Sequence, residues 1–359
     1  MKNRLFLDVH AIQTLPPSNI NRDDTGSPKT AQYGGIRRAR VSSQSWKRAI
    51  REYFYENSEQ SNVGTRSLNV IEYVADKIMK LDESIDKEKA LKMSDDIFNA
   101  GKVKTKDFKA KALFFLGEIQ ADRLAEAAVN GVTDKKEIQK IFKENPAIDI
   151  ALFGRMVADD PYLNEDASCQ VAHSISTHGI ETEFDFFTAV DDLAPQDNAG
   201  AGMLGTVEFN SSTMYRYANI AVHELLKQLE NKEATINTLK IFVEAFANSL
   251  PTGKINTFAN QTIPQVILVT LRKDRPVSFV SAFEEPVKSR DGFVDKSIEK
   301  LVDEYENVKK FVEEPIFTIV LSTRDLNLKD QFAKPESIKD MLNQLGEKLV
   351  EIVPESQGE

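Results

Sequence analysis

The sequence predicts an α+β protein, with a small antiparallel sheet that carries helices on one face. Strand-like and helical segments alternate along most of the chain, while residues 67–156 show helical periodicity only. Hydrophobic residues make up 41% and charged residues 28%, which is typical of a globular protein. The 359 residues allow two domains, or one domain with a large insertion, at about 150 residues per domain.

The N-terminal elements are a strand, a loop and a helix. Residues 5–12 are apolar and rich in β-forming side chains, which predicts the strand. Turn-forming residues predict a loop over 16–35. Residues 43–56 carry apolar side chains at helical spacing, and Ser42 or Ser43 is the natural N-cap of this helix.

The remainder of the chain alternates between strands and helices. Residues 67–156, rich in Lys, Glu and Ala, predict a helical insertion. A turn-rich stretch over 191–205 joins two strands and predicts a long β-hairpin. We predict strands at 184–190, 206–220, 266–271 and 316–321, and helices at 234–249 and 297–311.

Cysteine content and apolar runs indicate the cellular compartment. Cys169 is the single cysteine, so an intramolecular disulfide is excluded and a reducing compartment is expected. The N-terminus does not resemble a signal or transit peptide. The longest apolar run, residues 266–271, is far shorter than the roughly 20 residues that span a bilayer. We expect a cytoplasmic protein with no membrane partner.

Charge is distributed unevenly along the chain. The formal net charge is −10, which taken alone argues against nucleic-acid binding. Residues 25–51, however, contain seven basic residues and no Asp or Glu, so the other 332 residues carry −17. The seven cations are Lys29, Arg37, Arg38, Arg40, Lys47, Arg48 and Arg51.

The basic helix has features that favour an anionic ligand. Lys47 and Arg51 are like charges at i,i+4, and both lie near the helix N-terminus, where the helix dipole disfavours cations. A phosphate bound there would be stabilised by free backbone N–H groups. The Gly34-Gly35 pair would allow the backbone to approach it closely. The alternative is a solvated basic face that forms salt bridges with the acidic remainder.

Two other groups of residues are weaker candidates for a functional site. Tyr215 and Tyr217 lie on one face of a strand and Arg216 on the other. The tyrosines could stack on bases, but a half-buried strand explains them equally well. Cys169, His173 and His178 offer three ligands where a structural zinc site needs four, so no metal is expected.

No catalytic motif is evident. The chain lacks the Gly-rich phosphate loop, the dinucleotide-binding fingerprint and the H-E-x-x-H metal motif. Asp23-Asp24 could hold Mg²⁺, but adjacent aspartates in a turn are more often ordinary loop residues. We therefore expect neither an enzyme nor a cofactor.

Several motifs together resemble a known family. Asn21-Arg-Asp-Asp24 followed by GGIRRARVSSQSWKRAIR over residues 34–51 is the longest of them, and Tyr215-Arg-Tyr-Ala-Asn-Ile220 is also specific. The chain resembles the CasC-type backbone subunit, a crRNA-binding protein of the RAMP superfamily, of the type I-E CRISPR Cascade complex. Further similar segments are Gly154–Met156, Ala172–His178, Asp185–Leu193, Leu204–Phe209, Ala282–Glu284 and Asp291–Phe293.

The resemblance implies a hand-shaped fold. Its palm would be an RRM-like (ferredoxin-like) sheet formed by residues 1–60 and 149–359. A helical fingers insertion would occupy residues 61–148, where the similarity is weak. A β-hairpin thumb over residues 190–210 would project from the palm.

The resemblance also implies a non-catalytic function. Copies of the subunit would line up head to tail along a CRISPR RNA, together with other Cascade subunits. Each thumb would kink the guide at regular intervals, and the guide would pair with target DNA in antiviral defence. Two alternatives stay open: a Mg²⁺-dependent ribonuclease that cuts target RNA, and an acidic scaffold that binds no nucleic acid.

The resemblance assigns residues to the RNA. Met203, Leu204 and Thr206 of the thumb would wedge beside a flipped base. Where the family often has a basic residue after Gly34-Gly35, this chain has Ile36, so that contact would be lost or move to Arg37. The residues expected to contact RNA are Arg22, Lys29, Arg40, Ser42, Gln44, Lys47, Arg48, Arg51, Arg155 and Met156.

Overall fold

The protein is described from a computed structural model that covers residues 4–57, 62–157, 160–189, 203–326 and 332–355. They fall into two compact units. The sheet unit comprises Met1–Ile50, Val171–Asn219 and Phe242–Glu347, and the helical unit comprises Arg51–Gln170, Ile220–Ile241 and Lys348–Glu359. The helical unit thus contains the whole 61–148 segment. None of the helices in these ranges has the length and apolarity needed to cross a membrane.

The predicted strands and helices occur in the predicted order, and the structure adds helices at Val222–Leu229 and Ile338–Ile352 and several short strands that were not predicted. The strands are β1 Phe6–Ser18, β2 Thr30–Tyr33, β3 Ile36–Val41, β4 Gly64–Ser67, β5 Thr105–Lys106, β6 Lys109–Ala110, β7 Phe114–Gly117, β8 Cys169–Val171, β9 Ser174–Ser176, β10 Glu183–Ala189, β11 Met203–Ala221, β12 Val266–Arg272 and β13 Phe317–Ser322. The helices are α1 Ser43–Asn57, α2 Val70–Leu81, α3 Lys87–Ala100, α4 Glu118–Val129, α5 Lys135–Lys143, α6 Ile148–Phe153, α7 Val222–Leu229, α8 Lys232–Asn248, α9 Ile255–Phe258, α10 Val294–Val308 and α11 Ile338–Ile352.

The main sheet has the strand order β13-β12-β1-β11-β9-β3-β2, with β10 beside the N-terminal half of β11. Strand β1 pairs antiparallel with β12, and β12 with β13. Strand β9 likewise pairs antiparallel with both β11 and β3. The mixed α+β class with a large antiparallel sheet is confirmed, while the RRM-like palm stays a prediction.

Helices and loops cover both faces of the sheet, which corrects the prediction that helices lie on one face only. On one face, the ring of His10 stacks on Phe279 at 4.1 Å, and Ile12 joins a buried cluster that includes Leu301 of α10. On the other face, Leu7 and Val9 are fully buried. Central strands buried on both faces explain why β1 and β12 are apolar almost throughout.

A buried cation joins the second face of the sheet to helix α1. The guanidinium of Arg216 lies 3.7 Å from the ring centroid of Trp46 and 4.3 Å from that of Phe246. It donates a hydrogen bond to the side chain of Gln13. The indole of Trp46 donates to the hydroxyl of Ser174 at 2.8 Å. These contacts fix the start of α1 against the sheet, and burial lowers the pKa of Arg216 to about 9.

Tyr215 and Tyr217 belong to the core, as the half-buried-strand alternative requires, since they are 3% and 8% exposed. The Tyr215 hydroxyl accepts a hydrogen bond from the amide of Phe279 at 2.8 Å and lies 2.9 Å from Nδ1 of His10. The Tyr217 hydroxyl donates to Asp8 at 2.8 Å. Neither ring is available for stacking on a base.

The helical unit is not purely helical, contrary to the prediction for residues 67–156. Strand β7 pairs antiparallel with β4, and β5 with β6 forms a short hairpin. The apolar Phe114–Gly117 run is too short to define a period, and its partner β4 contains Thr65 and Arg66 with no apolar side chain. The pairing therefore depends on tertiary contacts that local sequence does not encode.

The buried carboxyl of Asp8 makes stability depend on pH. Burial raises its pKa to about 7, although the Tyr217 hydroxyl, the Val277 amide and Arg272 oppose the shift. Because this folded-state pKa exceeds the unfolded value, the native state retains a proton that the unfolded chain releases. The stabilisation is therefore complete at low pH and is lost as the pH rises towards 7.

We predict that Asp8→Asn removes this dependence. Between pH 5 and 7, the free energy of unfolding of the wild type should fall relative to that of the variant by about 1.4 kcal/mol per pH unit at most. Urea denaturation of both proteins across this range measures it. The amide substitution adds a constant cost at Val277, so only the pH trend is diagnostic, and parallel curves would contradict the prediction.

Candidate nucleic-acid interface

A loop anchored at both ends carries the first predicted contact, Arg22. The side-chain amide of Asn19 donates to the carbonyl of Gly26 at 2.9 Å and to that of Glu208 at 2.8 Å. The side chain of Asn21 accepts the backbone amide of Ser42 at 2.8 Å. Arg22 is exposed on this loop. The loop is therefore fixed to β11 on one side and to the start of α1 on the other.

The glycine pair forms a hairpin turn, which corrects its predicted role beside a phosphate. Tyr33 pairs with Ile36, and Gly34 and Gly35 between them have φ of 58° and 76°. These left-handed values match a two-residue β-hairpin loop. A Cβ at Gly34 would lie 1.7 Å from the carbonyl oxygen of Glu284. Internal packing thus accounts for Gly34, and residues 30–41, partly predicted as loop, are β2 and β3.

Five residues contribute polar groups at the N-terminus of α1, namely Lys29, Arg40, Ser43, Gln44 and His173. The backbone amide of Arg40 donates to the carbonyl of Lys29 at 2.9 Å, which places the two cations opposite each other. A guanidinium nitrogen of Arg40 lies 3.3 Å from Nδ1 of His173. The same Nδ1 accepts the amide of Ser43 at 3.2 Å. The backbone amide of Gln44 has no acceptor among the described residues.

This surface is electropositive and carries little internal compensation. Within the described ranges, Arg22, Lys29, Arg37 and Arg40 form no ion pair with a carboxylate. Burial, then the charges of Arg40 and Lys29, lowers the pKa of His173, so the imidazole is neutral at pH 7. Like charges opposite each other on paired strands destabilise the fold slightly. An external anion would remove this repulsion.

Most of the remaining predicted contacts near α1 adjoin this cluster. Ser42 is buried as the N-cap, and its carbonyl accepts the amides of Ser45 and Trp46 at 3.0 and 3.2 Å. Gln44 and Arg48 are exposed and Lys47 is half-buried, all in the first two turns. We name Arg22, Lys29, Arg40, Ser42, Ser43, Gln44, Lys47, Arg48 and His173 the basic surface. Sequence analysis missed His173, which it treated only as a metal ligand.

Two predicted contacts are used inside the helical unit instead. Arg155 is 5% exposed and donates to the carbonyls of Leu163, Phe115 and Phe142 at 3.0, 3.1 and 2.7 Å. Arg51 forms an ion pair with the buried Asp149 at 3.0 Å, and its guanidinium lies over the ring of Phe115. Burial removes Arg155 from the surface and corrects its predicted role, whereas the RNA contact of the partly exposed Arg51 stays a prediction. Met156, by contrast, is 84% exposed in this unit.

A similar internal role explains Arg38 in the basic segment. Its guanidinium is fully buried and donates to the carbonyls of Tyr33, Ser176 and Phe283 at 3.1, 2.9 and 2.8 Å. The basic residues of 25–51 therefore fall into two groups. Arg38 and Arg51 are paired with backbone carbonyls or with a carboxylate distant in sequence, and the others lie at or near the surface.

Strands β10 and β11 extend as a hairpin with apolar side chains on both faces. Leu204 is 63% exposed on the face shared with Phe184 and Phe186, which are 66% exposed each. Met203 is 57% exposed on the opposite face, with Phe187. Thr206 is also exposed and pairs with Phe186. Residues 190–202 of the predicted thumb lie outside the described ranges.

Sequence analysis missed the three phenylalanines of this hairpin. Their signal was present, since Phe184-Asp-Phe-Phe187 has aromatic side chains on both faces of a strand. A strand that packs on a core alternates apolar and polar side chains instead. The ring of Phe187 lies against Gly205, where a Cβ would be 2.3 Å from it. Gly205 therefore makes room for this ring.

The candidate metal and catalytic residues have structural roles. One carboxylate oxygen of Asp23 accepts the amides of Thr25 and Ser27, each at 3.0 Å, and the hydroxyl of Thr25 at 2.7 Å. The Thr25 hydroxyl, more than the backbone amides, lowers the pKa of Asp23. His178 accepts the amide of Thr213 at 3.0 Å and stacks on Phe293. No group of three or more His, Cys, Asp or Glu side chains in the described ranges is arranged to hold a metal.

Comparison with known proteins decides the family. The family described as CT1975-like protein matches residues 7–347. The chain belongs to this family. No curated protein sequence matches it significantly.

Two solved structures share the fold. One, described as a CRISPR RNA-guided surveillance complex, pre-nicking, is 30% identical with a TM-score of 0.83, over 96% of this chain and 100% of that chain. A second CRISPR RNA-guided surveillance complex is 28% identical with a TM-score of 0.63, over 94% and 99% of the two chains. The resemblance carried by the motifs is thereby confirmed at the level of a surveillance-complex subunit, and type I-E stays a prediction.

Substitution of Arg51 distinguishes a structural role of this residue from a role in RNA binding. Arg51→Ala leaves the buried Asp149 carboxylate without its cation, so we predict a loss of about 3 kcal/mol in the free energy of unfolding. Arg51→Ala/Asp149→Asn should recover part of it, because the unpaired charge is gone. Chemical denaturation measures both. A stable Arg51→Ala protein that has lost its RNA would restore the role predicted from sequence.

Proposed function

We propose that this CT1975-like protein is a non-catalytic, RNA-binding backbone subunit of a CRISPR RNA-guided surveillance complex of type I-E. The observation that carries the proposal is the basic surface around the N-terminus of α1, where Arg22, Lys29 and Arg40 have no carboxylate partner among the described residues. The fold shared with subunits of two such complexes supports it. In this proposal the protein works in the cytoplasm with the other Cascade subunits.

The basic surface is suited to the phosphates of a guide RNA rather than to its bases. Lys29 and Arg40 supply positive charge, and the free amide of Gln44 and the helix dipole add donors for an anionic oxygen. Neutral His173 can donate from Nε2, since its Nδ1 accepts the amide of Ser43. Contacts to phosphates carry no sequence information, which suits a subunit that must hold any guide.

The β10–β11 hairpin supplies the apolar contacts. Phe186, Leu204 and Met203 lie exposed on a two-stranded ribbon that has no covering layer among the described residues. Unstacked bases are recognised by such apolar and aromatic side chains. We propose that the hairpin wedges into the guide, kinks it and leaves the intervening bases free to pair with target DNA.

Repetition along the guide follows from the same arrangement. A subunit that binds phosphates without regard to sequence can occupy successive stretches of one RNA. Head-to-tail copies make an open, heterologous contact, in which two different surfaces of the subunit meet. The charge of −17 outside residues 25–51 would limit indiscriminate binding of nucleic acid to the rest of the body.

We predict that Lys29→Glu/Arg40→Glu abolishes RNA retention while leaving the fold intact. Both side chains are on the surface, and neither forms an ion pair with a carboxylate in the described part of the chain. The slope of the logarithm of the RNA-binding constant against the logarithm of salt concentration should become less negative by about 1.4. Each of the two lost phosphate contacts accounts for about 0.7 of this change. Absorbance at two wavelengths, gel analysis of extracted nucleic acid and titration with single-stranded RNA measure these effects.

Lys310→Glu/Lys339→Glu is the matched control. It makes the same charge change at two exposed lysines of the sheet unit that do not belong to the basic surface. This control should retain RNA. Equal loss of RNA in both variants would show that net charge, rather than this surface, determines RNA retention. Full RNA retention in Lys29→Glu/Arg40→Glu would favour the alternative of an acidic scaffold that binds no nucleic acid.

The ribonuclease alternative makes a separate prediction. We expect the RNA-loaded protein to leave complementary RNA intact in Mg²⁺, because Asp23 already accepts three hydrogen bonds that hold its own loop. Incubation with end-labelled complementary RNA and a denaturing gel provide the measurement. Mg²⁺-dependent cleavage that disappears in Asp23→Ala would establish the alternative.

A further inference from the structure

A short hairpin of the helical unit presents lysines on one face. Strands β5 and β6 pair through Thr105 and Ala110 and through Lys106 and Lys109. The amide of Lys111 donates to the carbonyl of Lys104 at 3.0 Å, which extends the pairing by one residue. Paired residues point to the same side, so these four lysines share one face.

The opposite face of the hairpin packs into the helical unit. Val103 and Ala110 are each 4% exposed and belong to the hydrophobic core of that unit. The flanking Lys102 is exposed, as are the four lysines of the outer face. We name Lys102, Lys104, Lys106, Lys109 and Lys111 the lysine face. Its alternation of lysine with core residues fixes the direction in which the charges point.

Four lysines of this face lack a carboxylate partner in the described part of the chain. Asp107 is the single acidic residue in 102–111. Lys102, Lys106, Lys109 and Lys111 form no ion pair with any described residue. Glu72, whose pKa is lowered by Lys87 and to a lesser extent by Lys109, is already paired with Lys87 at 2.8 Å.

The arrangement has a cost for folding. Two pairs of lysines lie directly opposite each other, and like charges in that position destabilise a hairpin. Asp107 and Phe108 form the turn with φ of 52° and 56°. Such left-handed values favour Gly or Asn, and a bulky aromatic residue adopts them at a cost. Phe108 is also 43% exposed, so neither burial nor local geometry accounts for this sequence.

We propose that the lysine face binds the phosphate backbone of double-stranded DNA, as a second nucleic-acid site distinct from the basic surface. The site lies in the helical unit, on a different element from the residues proposed to hold the guide. Its significance for DNA surveillance rests on the proposed function, since an RNA-guided subunit meets duplex DNA before the guide can pair with it. Duplex binding itself does not depend on that function.

Two properties of the hairpin favour a duplex over a single strand. A two-stranded β-ribbon fits the major groove of B-DNA, and lysines on its outward face would reach the flanking phosphates. Surfaces that bind single strands add aromatic side chains on which bases stack. The lysine face contains no aromatic residue, and Phe108 lies at the turn. Because these flexible ammonium groups would contact phosphates, the binding is expected to be independent of sequence.

The test uses the full-length protein with the RNA that it retains. Lys106→Glu/Lys109→Glu reverses one cross-strand pair at the solvent-facing end of the hairpin. Lys89→Glu/Lys92→Glu makes the same charge change at exposed positions of α3 in the same unit. Fluorescence anisotropy with a labelled random-sequence DNA duplex, between about 50 and 200 mM salt, gives affinity and salt dependence.

We expect the hairpin variant to bind the duplex at least about tenfold more weakly. The slope of the logarithm of the binding constant against the logarithm of salt concentration should become less negative by about 1.8, since each of two lost phosphate contacts accounts for about 0.9. The α3 variant should bind as the wild type does, and all three proteins should retain RNA equally. Repeating the comparison in the Lys29→Glu/Arg40→Glu background keeps the two proposals separate. Duplex binding that still depends on the hairpin there would support this site even if the basic surface played no part in RNA retention.

Three results would overturn the proposal. Equal losses in the hairpin and α3 variants would reduce the effect to net charge. Unchanged duplex affinity with reduced RNA retention would make RNA the ligand of the lysine face. Unchanged binding of both nucleic acids, with failure to assemble with other subunits of the complex, would make an acidic protein surface the partner. Circular dichroism and thermal melting of each variant exclude misfolding as the cause.

Discussion

The packing of Trp46 is the interaction on which the proposed RNA site depends. Its ring covers the buried guanidinium of Arg216, and its indole nitrogen donates to Ser174 at 2.8 Å. These two contacts fix the start of α1 on the sheet. The amide of Ser43 then meets His173, and Lys29 and Arg40 lie opposite each other beside it. A cation buried without a carboxylate is costly, and the two aromatic rings around Arg216 offset part of that cost.

The structure divides one continuous basic segment into residues with different roles. Arg38 and Arg51 stabilise the fold through carbonyls and a buried carboxylate, whereas Lys29, Arg37 and Arg40 keep their charge at the surface without a carboxylate partner among the described residues. The second group is available to an external anion. The lysine face repeats this pattern on another element, with alternate residues in the core and alternate residues outside. Segregated charge on a body that is otherwise acidic therefore marks surfaces suited to binding phosphates.

Local sequence predicted several of the longer elements of the sheet unit, because their patterns are complete within each segment, but it missed α11 and the short strands β2, β3 and β9. The apolar β12, the amphipathic α1 and the strand of Tyr215 and Tyr217 were all found. Strands β4 and β7 were missed, since four residues define no period and their pairing joins distant parts of the chain. Charge counting found the basic segment but could not separate buried from exposed arginines. That separation depends on acceptors such as Asp149 and the carbonyl of Ser176, which come from elsewhere in the sequence.

The most direct test of the central claim is to locate the RNA on the protein. Ultraviolet crosslinking of the RNA-loaded chain, followed by mass spectrometry of nucleotide-bearing peptides, identifies the contacts without altering the protein. The account predicts crosslinks within residues 22–48, at His173, and on the hairpin at Phe184, Phe186 or Met203. Crosslinks confined to the helical unit, with none in these segments, would contradict it.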